Sequence, residues 1–473
     1  MIIGRVSEQE RLQNYYESER AEFVAVYGRW RVGKTYLIKQ FFKDNFVFYA
    51  TGVARQPKQV QLMNFHDSLV EYGGRRLPQA KDWFEAFRQL REVIEANPTP
   101  SKKVIFIDEM PWLDTAKSGF VPALELFWNG WADSHPEILL IVCGSASSWM
   151  LSELIRSHGG LYNRVTQIIH LKAFTLGECR SYFAANKITA TEYQILEYYM
   201  AFGGIPFYLN MVDKTLSVTQ NIDAMCFDRD ARLRGEYKEL FSSLFKRPER
   251  HEAIVRALAG KTKGMTREEL LQAVGLTDGG SFSKALDELE MSGFIRVYVP
   301  FGKDERGRLY QLIDFYTAFY LRFIEGSTGT EQGNWVYYSS TPAHSSWAGL
   351  AFERVCLDHV PQILRSLGIS GMRSSACGWR SEHIKPAVQI DLLLDRSDGI
   401  IDICEIKYVR GEFELDSAED LRLKARRNTF IAETGTKKAV RIVMITTYGL
   451  KKNALSKDYP LEVVSADLFT QGS

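Results

Sequence analysis

The chain lacks a Cys-x-x-Cys pair, an apolar run long enough to cross a bilayer, and a surplus of charge of either sign. Its six cysteines (Cys143, Cys179, Cys226, Cys356, Cys377, Cys404) are scattered over 473 residues. Without paired spacing they form no zinc pattern. Cys143 and Cys404 fall inside apolar strand-like runs, so the set reads as reduced core thiols of a cytoplasmic protein. No run approaches the roughly 20 apolar residues of a spanning helix. The opening MIIGRVSEQERL has no basic segment followed by an apolar stretch, so neither a leader nor a membrane partner is expected. Lys and Arg number 59 against 58 Asp and Glu, a net charge of +1. No global field announces a polyanion, and any basic surface must be local. Internal repeats and extended low-complexity segments are missing as well.

What is present is a phosphate loop. GRWRVGKT at 28–35 follows the apolar run FVAVY and precedes the helix-forming YLIKQFF. Strand, glycine loop and helix are the context this motif needs, because its chemistry is backbone chemistry. Loop and helix N-terminal amides point at phosphates, and the helix dipole favours negative charge. Gly28 and Gly33 let the chain bend. Arg29, Trp30, Arg31, Val32 and Tyr36 complete the cradle. Lys34 is expected to reach the β- and γ-phosphates of ATP, and Thr35 to offer its hydroxyl to Mg²⁺.

VIFIDE at 104–109 supplies the second half. Four apolar residues ending in two acids read as a buried parallel strand with carboxylates at its C-terminal end, where open α/β sheets bind ligands. Asp108 is expected to hold Mg²⁺ through water and Glu109 to polarise the attacking water. ILLIVCGS at 138–145 reads as a third strand. Ser145 is either a γ-phosphate sensor or the lead-in to a helix starting at Ser147.

At this length two or three domains are expected. Hydrophobic and charged contents of 45% and 25% are ordinary for globular protein. Residues 1–235 alternate strands (23–28, 46–50, 104–108, 138–144 and 165–171) with helical patterns, which implies a parallel sheet. From Thr175 helical patterns alone follow, read as a lid. Residues 236–325 read as three short helices and a hairpin, a winged-helix arrangement. Thr266 and Glu269 form a capping box there. The third helix carries Asp287, Glu288 and Glu290, so DNA contact competes with a spacer or protein-docking role. Residues 326–345, with GSTGTEQGN, read as a linker.

Residues 346–473 hold a second candidate site. AVQIDLLLD and GIIDICEIKY are strands joined by the tight turn DRSDG. Alternation puts Glu405 and Lys407 on one face, and Asp391 can lie across from them. Glu353, on a preceding helical run, adds a carboxylate. Asp391, Glu405 and Glu353 together make a candidate divalent-metal site, with Lys407 beside it. The alternative is a hairpin with charges on a solvent face. Arg422, Lys424, Arg426 and Arg427 could track a phosphate backbone, or form a solvated helix face.

Over nearly its whole length the chain resembles the archaeal-type ATPases of prokaryotes, a branch of the AAA+/STAND-like P-loop proteins. In these an α/β P-loop ATPase with a helical lid is followed by a winged helix. A C-terminal α/β domain like the restriction endonucleases follows, of the PD-(D/E)xK superfamily. IIGRVSEQERL matches the family's Gly-Arg-x-x-Glu box, with Gly4, Arg5 and Glu8; the resemblance implies a place near the adenine. CGSASSWM matches the sensor strand. LYNRV places Arg164 where relatives carry an arginine that acts on the γ-phosphate, in the same or a neighbouring subunit; Asn163 replaces their usual glycine. A surface salt bridge is the competing role for Arg164. FGGIPFYL matches the lid's Gly-Gly-x-Pro box, with Pro206. Gln389, Asp391, Glu405 and Lys407 fit the nuclease core.

Two function classes follow. In one, ATP hydrolysis drives or licenses metal-dependent cleavage of nucleic acid. In the other, a nucleotide-dependent switch uses a non-cutting C-terminal domain to bind DNA or a protein partner, including a second copy of the chain.

Overall fold

The computed structural model describes residues 1–74, 76–98, 102–145, 149–155, 163–245, 247–261, 263–327, 334–381, 383 and 388–470. It divides into two compact units. The first is Met1–Ala173 with Leu244–Lys246 and Asp287–Gly293; the second is Phe174–Ser243, Arg247–Leu286 and Phe294–Ser473.

In the first unit every strand expected from apolar runs is found. They are β1 (Glu22–Tyr27), β2 (Phe48–Thr51), β3 (Lys103–Asp108), β4 (Ile138–Gly144) and β5 (Gln167–His170). All pair in parallel, in the order β2-β3-β4-β1-β5. Near-continuous apolar sequence in β1, β3 and β4 is what two covered faces demand. Phe23 and Ala25, Ile105 and Ile107, and Leu140 and Val142 pack one face against Leu69, Trp83, Leu90 and Trp128. The alternate residues Val24, Phe106, Leu139 and Ile141 are equally buried on the other. Cys143 is buried in β4, and all six cysteines are free thiols.

The second unit begins with helices, among them Leu176–Ala185 and Glu192–Phe202, each opened by a capping box. Pro206 is the first residue of the short helix Pro206–Leu209, where its missing N–H costs nothing. Helices Pro248–Gly260, Arg267–Val274 and Gly280–Met291 precede an antiparallel hairpin of β6 (Ile295–Tyr298) and β7 (Leu309–Leu312). The Thr266–Glu269 capping box is formed. Met265 bridges Tyr310 and adds a rung to the hairpin.

The stretch read as a linker departs from that expectation in its described part. Helices Asn334–Tyr338 and Pro342–Asp358 occupy it. Trp335 is buried among Phe227, Phe319, Phe323 and Trp347. A single tryptophan thus anchors a segment that its Gly, Ser and Thr content would leave free.

The C-terminal sheet is mixed, with order β12-β11-β10-β9-β8. It comprises β8 (Ser374–Arg380), β9 (Gln389–Arg396), β10 (Ile400–Lys407), β11 (Ala439–Thr446) and β12 (Glu462–Val464). β10 pairs in parallel with β11 and antiparallel with β9. Helix Ser417–Thr434 follows β10. Among the described residues, no helix is long and apolar enough to cross a membrane.

Candidate functional site

The phosphate loop leaves β1 at Tyr27 and enters the helix Lys34–Phe42. Gly28 has φ +154, and a Cβ there would lie 2.1 Å from the Leu171 carbonyl oxygen. Close passage of the loop over the end of β5 therefore excludes any side chain. Gly33, at φ +91, caps the helix in the left-handed region that glycine adopts without strain.

Lys34 is buried and donates from Nζ to the carbonyl oxygens of Gly28 (3.0 Å) and Arg29 (3.2 Å). The ammonium is thus folded back over its own loop. Burial holds its pKa below the ordinary lysine range, against the pull of Glu109 and Asp108. Thr35 Oγ1 donates to Asp108 Oδ2 at 2.8 Å. Asp108 Oδ1 accepts from the Glu109 N–H at 2.9 Å and from the Cys143 thiol. The loop hydroxyl and the strand-end carboxylate are therefore joined.

Glu109 sits at φ 44, a strained position for a side-chain-bearing residue. The turn aims its carboxylate back at the strand ends, where Ser145 Oγ donates to Oε1 at 2.7 Å. Burial raises the Glu109 pKa; the Lys34 charge and the Ser145 hydrogen bond pull it back. Ser145 is buried at the end of β4 in contact with an acidic residue of the site. Ser147 lies outside the described residues.

Arg5 is buried and donates from Nη2 to the Val32 carbonyl at 3.3 Å, which ties the N-terminal segment to the phosphate loop. Gly4 accepts at its carbonyl from the Gln9 side chain. Trp30 and Arg31 are partly buried and Tyr36 is exposed, its hydroxyl on the Met1 carbonyl. Arg164 is half-exposed, with Nη1 3.9 Å from Asp133 Oδ2.

In the second unit the predicted charged residues fall into two clusters. Lys263, in the turn before Met265, donates from Nζ to Asp391 Oδ1 (2.7 Å) and Oδ2 (2.8 Å) and lies 3.5 Å from Glu353 Oε2. Gln389 also donates to Asp391, at 3.1 Å. Glu405 is buried and pairs with Lys407 at 2.9 Å and with Arg426; Lys407 also pairs with Glu419 at 2.9 Å. The expected single shell of Glu353, Asp391, Glu405 and Lys407 is thus replaced by two neutralised groups. A bulge explains why strict alternation fails at Asp391. Cys377 pairs with Leu393 and Trp379 with Ile390, so Gly378 faces two β9 residues, Asp391 and Leu392. Ile390 and Leu393 consequently share one apolar cluster although three positions apart. Among the described residues no group of three or more His, Cys, Asp or Glu could hold a metal ion.

Three residues of the basic run are likewise paired: Arg422 with Glu419, Lys424 with Asp420 and Asp458, and Arg426 with Glu405. Sequence reading missed Lys263, the pairing of Arg426 with Glu405, and the Cys143 contact. None belongs to a local motif, and each residue meets its partner only through the fold.

Residues 3–212 match a protein family described as an ATPase domain predominantly from Archaea. Over 374 residues the chain is 26% identical to an uncharacterized protein of Methanocaldococcus jannaschii, covering 77% of this chain and 78% of that one. Among solved structures it is similar to a Walker-type ATPase of Pyrococcus abyssi, at 19% identity and TM-score 0.49, over 68% of this chain and 96% of that one. The ORC2 protein of Aeropyrum pernix is similar at 14% identity and TM-score 0.40, over 76% and 96%. Residues 3–212 thus resemble an ATPase domain found predominantly in Archaea.

Proposed function

We propose that the chain binds ATP with Mg²⁺ and hydrolyses it at the strand ends that carry Lys34, Thr35, Asp108 and Glu109. The observation that carries this reading is the 2.8 Å contact between Thr35 and Asp108. A hydroxyl and a carboxylate meeting at the mouth of a phosphate loop are the donor set Mg²⁺ takes beside nucleotide phosphates. Thr35 and Asp108 would hold that ion, which supplies neutralisation of phosphate charge. Lys34 exchanges its two backbone carbonyls for phosphate oxygens. Glu109, oriented by Ser145, accepts hydrogen bonds from the attacking water. Arg5 and Gly4 brace the loop from the adenine side. Arg164 serves the γ-phosphate of this or a neighbouring subunit, and Pro206 shapes the lid.

The proposed domains are the ATPase with its lid (1–235), a winged helix (236–325), and a nuclease-like domain (346–473). Nucleotide state is then coupled to DNA binding or metal-dependent cleavage by the C-terminal domain. A second reading, a switch whose C-terminal domain does not cut, is favoured by one observation. Lys263, Lys407 and Arg426 already neutralise Asp391 and Glu405. Phosphate release from ATP with and without Mg²⁺, by the full chain and Lys34→Ala, tests the first reading. Mg²⁺-dependent release that Lys34→Ala abolishes supports it; equal release by both overturns it. Plasmid added with Mn²⁺ separates the cutting from the non-cutting form.

A further inference from the structure

Within the second unit a cavity of about 90 Å³ lies among the helices Glu192–Phe202, Val218–Cys226 and Pro342–Asp358. That is room for several waters or for one small organic molecule. Met200, Val218 and Ile222 give it an apolar wall, and Trp335 and Trp347 add indole rings. Its charged residues are Glu197 and Arg410, one of each sign. His344 also lines it, but burial and the Arg410 charge hold that imidazole below its ordinary pKa, so it is neutral.

Two of these groups lack partners among the described residues. Trp347 is 6% exposed, and its indole Nε1 is buried with no acceptor. Glu197 is half-buried; burial lifts its pKa to about 6 against the charge of Arg410, and no hydrogen bond offsets that burial. Burying a polar group without a partner is unfavourable, which marks both as places where a ligand gains. Arg410, in the segment after β10, donates from Nη2 to the Ser339 carbonyl at 3.3 Å and meets the Tyr193 hydroxyl. A guanidinium carries five N–H donors, so others remain.

We propose that this cavity binds a small apolar α-amino acid, its ammonium on Glu197 and its carboxylate on Arg410. An ammonium brings three donors to a carboxylate that has none, and a carboxylate brings two acceptor oxygens to the guanidinium. A simple cation would satisfy Glu197 but meet the like charge of Arg410, and a simple anion would meet the reverse. One molecule carrying both charges satisfies both walls. Its acceptor end also suits the Trp347 N–H, and its side chain suits Met200, Val218 and Ile222. The proposal is independent of the nucleotide reading, since none of these residues belongs to the phosphate-loop unit.

The test is titration calorimetry of the full chain at about pH 7.5, where Glu197 is ionised, with L-valine, L-leucine and L-methionine. Two further probes each lack one charge of leucine: 3-methylbutylamine has no carboxylate and 4-methylpentanoate has no ammonium. Glu197→Gln and Arg410→Met are measured beside wild type, with circular dichroism as the check on folding. At least one amino acid is expected to bind wild type. The two single-charge probes should bind at least tenfold more weakly than leucine, and each variant should weaken the amino acid at least tenfold, as loss of a charged hydrogen-bond partner does. No heat from any of the three amino acids overturns the proposal and leaves the cavity to water. Equal binding of leucine and either single-charge probe overturns it too, and this comparison needs no variant. Amino-acid binding that survives in both variants places the ligand elsewhere and also overturns it.

Discussion

Thr35 and Asp108, 73 positions apart in the chain, meet through a 2.8 Å hydrogen bond from hydroxyl to carboxylate. Parallel pairing of β3 between β2 and β4 delivers Asp108 to the strand end, and the phosphate loop delivers Thr35 there from β1. Asp108→Asn keeps the shape but removes the charge that a magnesium ion needs. ATP affinity measured in EDTA should then stay within a few-fold of wild type, while the tightening that Mg²⁺ brings should disappear. Titration calorimetry with and without the metal reads both. An unchanged Mg²⁺ effect would assign the ion elsewhere.

Arg164 has an ion-pair partner, but a weak one. Both it and Asp133 are about half exposed and 3.9 Å apart, and such pairs contribute about 0–1 kcal/mol. Arg164→Ala should barely move the melting temperature. Turnover should fall at unchanged ATP affinity, since an arginine on the γ-phosphate contributes about 10³–10⁵ in rate where it acts. Full turnover in the variant would leave the ion pair as its whole role.

His359 sets a pH limit on the second unit. It is fully buried; Nδ1–H donates to the Val355 carbonyl at 2.8 Å, and Nε2 accepts from the Leu176 N–H at 3.0 Å. Burial pushes its pKa down to about 4. The folded value lies below the unfolded one of about 6.5, so the contribution is complete above pH 6.5 and is lost as pH falls toward 4. The depression corresponds to a stabilisation on the order of 3 kcal/mol. Urea midpoints between pH 7.5 and 4 should fall more steeply for wild type than for His359→Gln. Parallel slopes would exclude this histidine as the cause.

Asp402 is completely buried, with Arg396 at 3.1 Å and Arg441 at 2.7 Å. Breaking a buried pair costs up to about 3–5 kcal/mol, but Arg396 keeps Asp398 as a partner and Arg441 is partly exposed. Asp402→Ala should therefore destabilise the C-terminal sheet by less than that range, yet by more than the ~0–1 kcal/mol of a surface pair, in urea unfolding. A loss below about 1 kcal/mol would mean that Asp398 and solvent together replace Asp402.

Much of this was legible in the sequence, and the exceptions have a common cause. The five strands of the first unit announce themselves by apolar runs, because a sheet covered on both faces permits little else there. Gly28, Lys34, Thr35, Asp108 and Glu109 could be singled out as candidates because a phosphate loop constrains residue type and spacing, and the fold places Lys34 on Gly28 and Thr35 on Asp108. The arrangement around Asp391 was not. Alternation assumes an unbroken strand, and the bulge opposite Gly378 has no local signature. Lys263 lies 128 positions from Asp391, and no periodicity connects a turn in one module with a strand in another. Trp335 turned a polar stretch into packed structure because its partners lie outside that stretch, with Phe323 and Trp347 flanking it and Phe227 coming from a distant helix boundary.

Glu109→Gln tests the central claim most directly. The substitution preserves size and the contact with Ser145 but removes the carboxylate charge that polarises water. Nucleotide binding and single-turnover hydrolysis should be measured on the same preparation. ATP should bind with wild-type affinity, and hydrolysis should fall by about 10²–10⁴-fold, the usual contribution of a positioned base. Wild-type hydrolysis by Glu109→Gln would contradict the assignment of this site.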